Sequence, residues 1–147
     1  MDFGYILTST QGRIPRSQWW AGLVVLVIIG VVLGLLIAWV LGMTMVGLIA
    51  TLILQIILLY PSYCISAKRF QDRNKPGGLA LIGIGLAILQ TLARVVGLSN
   101  PYNPTAVDWI LNVALLIVGI WYLIELGILR GTIGPNKFGP DPLEGRS

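Results

Sequence analysis

Histidine is absent from this 147-residue chain, cysteine occurs once, and only 11% of the residues are charged. Each shortage excludes something. The lone Cys64 has no internal partner, so no disulfide holds the fold. Without histidine the usual zinc and haem ligand sets are missing, and so is the commonest general base. The sequence therefore implies no metal, no cofactor and no catalytic residues, and it argues against an enzyme. A soluble domain carries about 25% charged residues. Here apolar residues make up 56% of the chain, with a mean hydropathy of +0.84. So small a soluble fold would leave much of that surface in water, whereas lipid accepts it at no cost.

The apolar residues fall into four long uncharged or nearly uncharged runs, 19–41, 46–65, 79–96 and 107–129. A helix needs about 20 residues to cross a hydrocarbon core of roughly 30 Å. Strands of a membrane barrel are about 10 residues long and alternate apolar with polar; these runs are longer and do not alternate. The first run is too long for a signal-peptide core and lacks a suitable small-residue cleavage site. The sequence thus predicts an all-α integral membrane protein, a four-transmembrane-helix bundle forming one domain over 1–147. A polar loop, 66–77, joins the second and third spans, and a Gly/Pro-rich tail, 130–147, follows the fourth.

Basic residues orient such a bundle, because they stay in the cytoplasm. Of ten Lys and Arg, nine fall on one side of a four-span chain: Arg13, Arg16, Lys68, Arg69, Arg73, Lys75, Arg130, Lys137 and Arg146. Arg94 lies toward the other side. Both termini and the 66–77 loop are accordingly expected in the cytoplasm. Trp19, Trp20, Tyr60 and Tyr63 fall near the inner interface, and Trp39, Tyr102 and Trp109 near the outer one, as membrane-interface aromatics do.

Polar and small residues within the runs carry further expectations. Gly30, Gly34, Ala38 and Gly42 line one face of the first run, where a helix can approach closely. The seam serves packing within the monomer or a homodimer. Gln55 and Gln90 should turn toward the bundle interior, for interhelical hydrogen bonds or for a polar transport path. Glu125 is an acid well inside the fourth run, where a carboxylate costs on the order of 3 kcal/mol. It needs a partner, with Arg69 or Lys68, or Tyr60, Tyr63 and Ser62, within reach, or it serves as a proton or cation site, or it meets interfacial water. Thr105 and Asp108 have the spacing of a capping box, and Arg94 is placed to pair with Asp108.

Three polar segments lie on the cytoplasmic side: Gly12-Arg13-Ile14-Pro15-Arg16-Ser17-Gln18-Trp19-Trp20, the stretch from Ala67 to Gly78, and Gly131-Thr132-Ile133-Gly134-Pro135-Asn136-Lys137-Phe138-Gly139-Pro140-Asp141-Pro142. In this order they resemble the domain-of-unknown-function 805 family of bacterial inner-membrane proteins. The last segment matches most closely. The resemblance implies four helices and an inner-membrane location, and supplies no activity. Gln71 stands where the family often has histidine, and Pro76 and Gly78 where serine and tryptophan are frequent, which favours a structural or recognition role for this loop over acid–base chemistry.

The expected interaction face comprises Arg13, Arg16, Lys68, Arg69, Asp72, Arg73, Asn136 and Asp141, with Asp72 placed for a buried salt bridge. Gly134-Pro135 and Gly139-Pro140 force turns that fold the tail back. Such a face suits anionic lipid headgroups or a partner protein. Glu125, Gln55 and Gln90 form the alternative, the polar site of a small oligomeric transporter or channel. There is no phosphate-loop pattern, and the basic residues are placed for topology, so no nucleic-acid partner is implied.

Overall fold

A computed structural model describes residues 2–42, 44–100 and 103–144; Tyr102 and Arg146 lie outside them. Helix α1 (Phe3–Thr8) is followed by α2 (Arg16–Leu41), α3 (Met45–Asp72), α4 (Ala80–Val95) and α5 (Ala106–Tyr122). A 3₁₀ turn, Gly77–Leu79, leads into α4, and a π-helical segment, Leu123–Ile128, extends α5. Four continuous helices are long and apolar enough to cross a membrane: Arg16–Leu41, Met45–Asp72, Gly77–Val95 and Ala106–Ile128.

Two boundaries differ from expectation. The loop expected over 66–77 is much shorter, because residues 66–72 continue α3. Lys and Arg are good helix formers, and Arg69 in the last turn suits the negative end of the helix dipole. The 28 residues of α3 span about 42 Å at 1.5 Å each, so its last turns project beyond a hydrocarbon core of roughly 30 Å. Only 73–76 remain as the turn, with Asn74 in a left-handed conformation (φ 58°). Helix α1 was not anticipated from the polar N-terminal stretch. It is one short helix whose first turn is capped by Asp2, which accepts from the Tyr5 amide at 3.1 Å, and it buries Ile6.

The buried core sits toward one end. Ile6, Ile14, Trp19, Leu26, Ile65, Ala67, Phe70, Ala80 and Leu126 form it. Phe70 rests on Trp121 and Tyr122, with ring centroids 5.5 Å away in each case. The Tyr122 hydroxyl donates to the Leu79 carbonyl at 2.8 Å and accepts from the Gly83 amide at 3.0 Å, fastening α5 to the start of α4. We call this the motif end. Away from it, the helices expose Val27, Val31, Leu35, Ile56, Ile57, Ile117 and many similar side chains. Those faces suit hydrocarbon rather than water.

A Cβ on Gly30 would touch Leu58 of α3, but one on Gly34 or Gly42 would meet nothing within 4 Å. The small-residue stripe is therefore used within the chain only in part. At the opposite end, Thr105 and Asp108 form the expected reciprocal capping box at the start of α5. The expected Arg94–Asp108 pair is not formed. Asp108 instead accepts from the hydroxyl of Ser99, the Asn100 amide at 3.0 Å and the Thr105 amide at 2.7 Å. Those nearer donors fill both oxygens, and Arg94 stays exposed.

Candidate functional site

The motif end draws the three polar segments together around Asp72. Arg13 Nε donates to Asp72 Oδ1 at 3.0 Å, and Arg69 Nη1 pairs with Oδ2. Asp72 is 2% exposed and Arg69 is fully buried. Two guanidiniums around one carboxylate offset the cost of burying these charges, and further hydrogen bonds satisfy their remaining donors. Arg13 Nη1 donates to the carbonyls of Gly134 (2.7 Å) and Gly139 (3.1 Å), and Nη2 to Thr132 (2.6 Å). The Asp72 backbone carbonyl in turn accepts from the Thr132 amide at 2.9 Å and its hydroxyl at 2.6 Å. The tail is thus bound to both other segments.

Arg69 also completes the end of the last helix. In the π-helical turn the Leu129 amide bonds the Ile124 carbonyl at 3.0 Å, which leaves the following carbonyls without helical donors. Arg69 supplies two, from Nε to Leu126 at 2.7 Å and from Nη2 to Leu129. Trp20 Nε1 donates to Gly127 and Arg16 Nη1 to Ile128, both at 3.2 Å. Side chains from α2 and α3 therefore cap the C-terminus of the fourth span. A cation there also meets the negative end of the helix dipole.

The Gly131 position shows how tightly this is assembled. A Cβ there would collide with the Asp72 carboxylate. At Gly139 the backbone takes φ +137°, a conformation open to glycine, and an Asn136–Gly139 bridge closes the turn with bonds of 3.0 and 3.1 Å. Asn136 Nδ2 donates to the Gln71 carbonyl at 2.9 Å, and its Oδ1 accepts from the Phe138 amide at 2.8 Å. Asp141 accepts from the Gly134 amide at 2.9 Å and the Leu143 amide at 3.0 Å. These two backbone donors, helped by Arg13 and Arg130, hold its carboxyl below the ordinary carboxylate range.

Lys68 is wholly buried. Its ammonium donates to the carbonyls of Tyr5 and Ile6, the latter at 2.8 Å, and lies 4.3 Å from the centroid of the Tyr5 ring. Gln71 Nε2 donates to Thr10 at 3.1 Å. Both side chains pin the N-terminal segment down.

Most of the residues named for the interaction face make internal ties, Asp72 in the buried salt bridge expected of it. Arg13, Lys68, Arg69 and Asp72 are buried, because the carbonyls of the N-terminal segment, the π-helical turn and the tail converge on them. Arg16 remains exposed, as do Arg130 and Lys137. A cavity of about 190 Å³ opens between Arg16, Arg130, Thr132 and Asp141. Arg130 precedes the third polar segment in sequence, and the end of the last helix, whose Ile128 carbonyl Arg16 bonds, places it at the same cavity.

The intramembrane set does not come together. Glu125 pairs with Arg73 Nε at 3.0 Å and Lys75 Nζ at 2.8 Å. The partners foreseen for it, Arg69, Lys68, Tyr60, Tyr63 and Ser62, are not the ones it takes. The π-helical turn swings Glu125 toward the 73–76 turn, while Arg69 is committed to Asp72 and carbonyls. Arg73 Nη1 also donates to the Arg130 carbonyl at 2.6 Å. Gln55 and Gln90 instead share a groove of about 310 Å³ between α3 and α4, without Glu125. Gln90 Nε2 donates to Asn112 Oδ1 at 2.9 Å. Gln55, expected to face inward, is exposed in that groove.

Comparison with known proteins gives one broad match. A family described as "Protein of unknown function (DUF805)" matches residues 7–140, a span that includes the first two segments and the third as far as Pro140. A stretch of 70 residues is 36% identical to an accessory Sec system protein translocase subunit SecY2 of Streptococcus oralis. It covers 46% of this chain and 16% of that protein, so the chain spans only a small part of that relative's length. No solved structure matches.

Proposed function

The chain belongs to the DUF805 family, and on that footing we propose that it is a non-enzymatic, multi-pass protein of the bacterial inner membrane whose motif end faces the cytoplasm and binds anionic lipid. One observation carries this reading. The buried cations of the motif end are consumed in folding, while Arg16, Arg130 and Lys137 remain exposed beside the ends of two spans, Arg16 at the start of one and Arg130 just after another. Basic side chains at that level meet lipid headgroups, each worth roughly 1 kcal/mol on an anionic surface. The basic residues on this end, against Arg94 on the other, support the cytoplasmic placement.

The non-enzymatic reading draws on the same commitments. Arg13, Arg69 and Asp72 are held by each other and by backbone carbonyls, which leaves them little freedom to move protons or bind a reacting group.

The test is the lipid shell retained on mild solubilisation of the full chain. The parent should carry a higher fraction of phosphatidylglycerol than the membrane it came from. The triple variant Arg16→Gln, Arg130→Gln, Lys137→Gln should lose that enrichment while still inserting. An unenriched shell on the parent overturns the proposal. A protein partner is the competing occupant of this face, and a photocrosslinking residue at exposed Asn74 would reveal it as a discrete adduct.

The transporter alternative draws less support. It needs Glu125 beside the intramembrane amides, and Glu125 is instead tied to Arg73 and Lys75.

A further inference from the structure

We propose that the cavity between Arg16 and Arg130 is a phosphate-binding site that seats the phosphate of a single phospholipid headgroup; the inference rests on the lipid-binding reading above and narrows it to one place.

The cavity holds about 190 Å³, and its charged walls are Arg16, Arg69, Arg130, Asp72 and Asp141. The ligand class follows from which hydrogen-bonding capacity is left. Both oxygens of Asp72 are taken, by Arg13 and Arg69. Both oxygens of Asp141 accept backbone amides. Arg69 spends Nε, Nη1 and Nη2 on Leu126, Asp72 and Leu129. Arg16 uses Nη1 on Ile128, and its other nitrogens bond no described residue. The Arg130 guanidinium bonds none of the described residues. The cavity's unused capacity is therefore donors on two cations. A tetrahedral oxyanion fits that set, because guanidinium binds phosphate oxygens in pairs.

Two further features favour the phosphate. The cavity includes Pro15 and Arg16, where α2 begins with no side-chain cap and no acid in its first turn. The dipole of that helix end favours an anion. The site also lies where two spans end, at Arg16 and Ile128, which is the depth of a headgroup.

Native mass spectrometry of the full chain in detergent, titrated with phosphatidylglycerol, tests this. One phosphatidylglycerol should bind more tightly than any later one. Arg130→Gln should weaken it about tenfold, the loss expected for charge-assisted hydrogen bonds. Arg16→Gln should do likewise, and Lys137→Gln, outside the cavity, should leave it unchanged. Arg130→Gln is the decisive variant, since its guanidinium makes no hydrogen bond or ion pair with a described residue and touches the fold only through the field it exerts on Asp141. Inorganic phosphate competing at millimolar concentration would support the site with a soluble phosphate as its source; no competition would support the lipid headgroup. If Arg130→Gln binds the first lipid as the parent does, the cavity proposal is overturned. Should the retained shell still be enriched in phosphatidylglycerol in that case, the broader reading survives as a diffuse surface.

Discussion

Arg13 and Asp72, 59 residues apart in sequence, are joined by a 3.0 Å hydrogen bond in the buried centre of the motif end. The same Arg13 reaches the tail at Thr132, Gly134 and Gly139, and the same Asp72 holds Arg69. One ion-pair cluster therefore ties the N-terminal segment, the end of α3 and the tail into one unit. Its removal should be felt in all three.

Asp72→Ala leaves Arg13 and Arg69 as buried, unpaired cations. Breaking a buried pair in this way costs about 3–5 kcal/mol. Thermal unfolding of the purified variant in detergent should show a markedly lower midpoint than the parent. An unchanged midpoint would remove the cluster from the account of stability.

Gly131→Ala tests the close approach of the tail. Its methyl group would collide with the Asp72 carboxylate, so the tail must shift and its ties to Arg13 and to the Asp72 carbonyl loosen. Limited proteolysis should cut within 130–144 faster than in the parent. Equal cutting rates would mean that the tail does not pack on Asp72.

Glu125→Gln keeps the shape and removes the charge that holds Arg73 and Lys75. Those partners are partly exposed, so screening reduces the loss to about 1 kcal/mol. The variant should insert, fold and bind lipid as the parent does. A solute flux in vesicles that this change abolished would refute the structural role and favour transport.

The carboxyl of Asp141 is held below its ordinary range, chiefly by the Leu143 and Gly134 amides. A depressed acid stabilises the fold above its unfolded pKa, and the contribution disappears as pH falls through the folded value. Tail docking, followed by protease protection, should therefore be constant near neutrality and weaken only below the usual carboxylate range. Asp141→Asn should flatten that acid limb. A variant with the parent's acid profile would place the titration elsewhere.

Thr105→Ala removes the hydroxyl that accepts from the Asp108 amide at the start of α5. Loss of an N-cap costs about 1 kcal/mol. Hydrogen exchange should accelerate in the first turn of α5, with the motif end unaffected, because the two lie at opposite ends of the molecule.

The sequence alone determined the spans. Uncharged or nearly uncharged runs of about 20 residues admit one solution in lipid, since a helix satisfies its own backbone, and the four candidate spans lie where the runs lie. It also determined local devices that depend only on neighbours, such as the Thr105–Asp108 box and the turn at Gly139. Charge type at a position was legible too, which is why Asp72 could be marked for a buried pair.

Partner choice was not legible, because it depends on distances between segments far apart in the chain. Glu125 meets Arg73 and Lys75 where the end of α5 takes a π-helical turn, and Arg69 is unavailable to it because Asp72 and the unfilled carbonyls at that same helix end claim it. Burial was hidden for the same reason. A run of arginines reads as a solvated face until the carbonyls that will surround them are in place. Tertiary structure alone decided that Arg13, Lys68 and Arg69 turn inward while Arg16 and Arg130 stay exposed beside a common cavity.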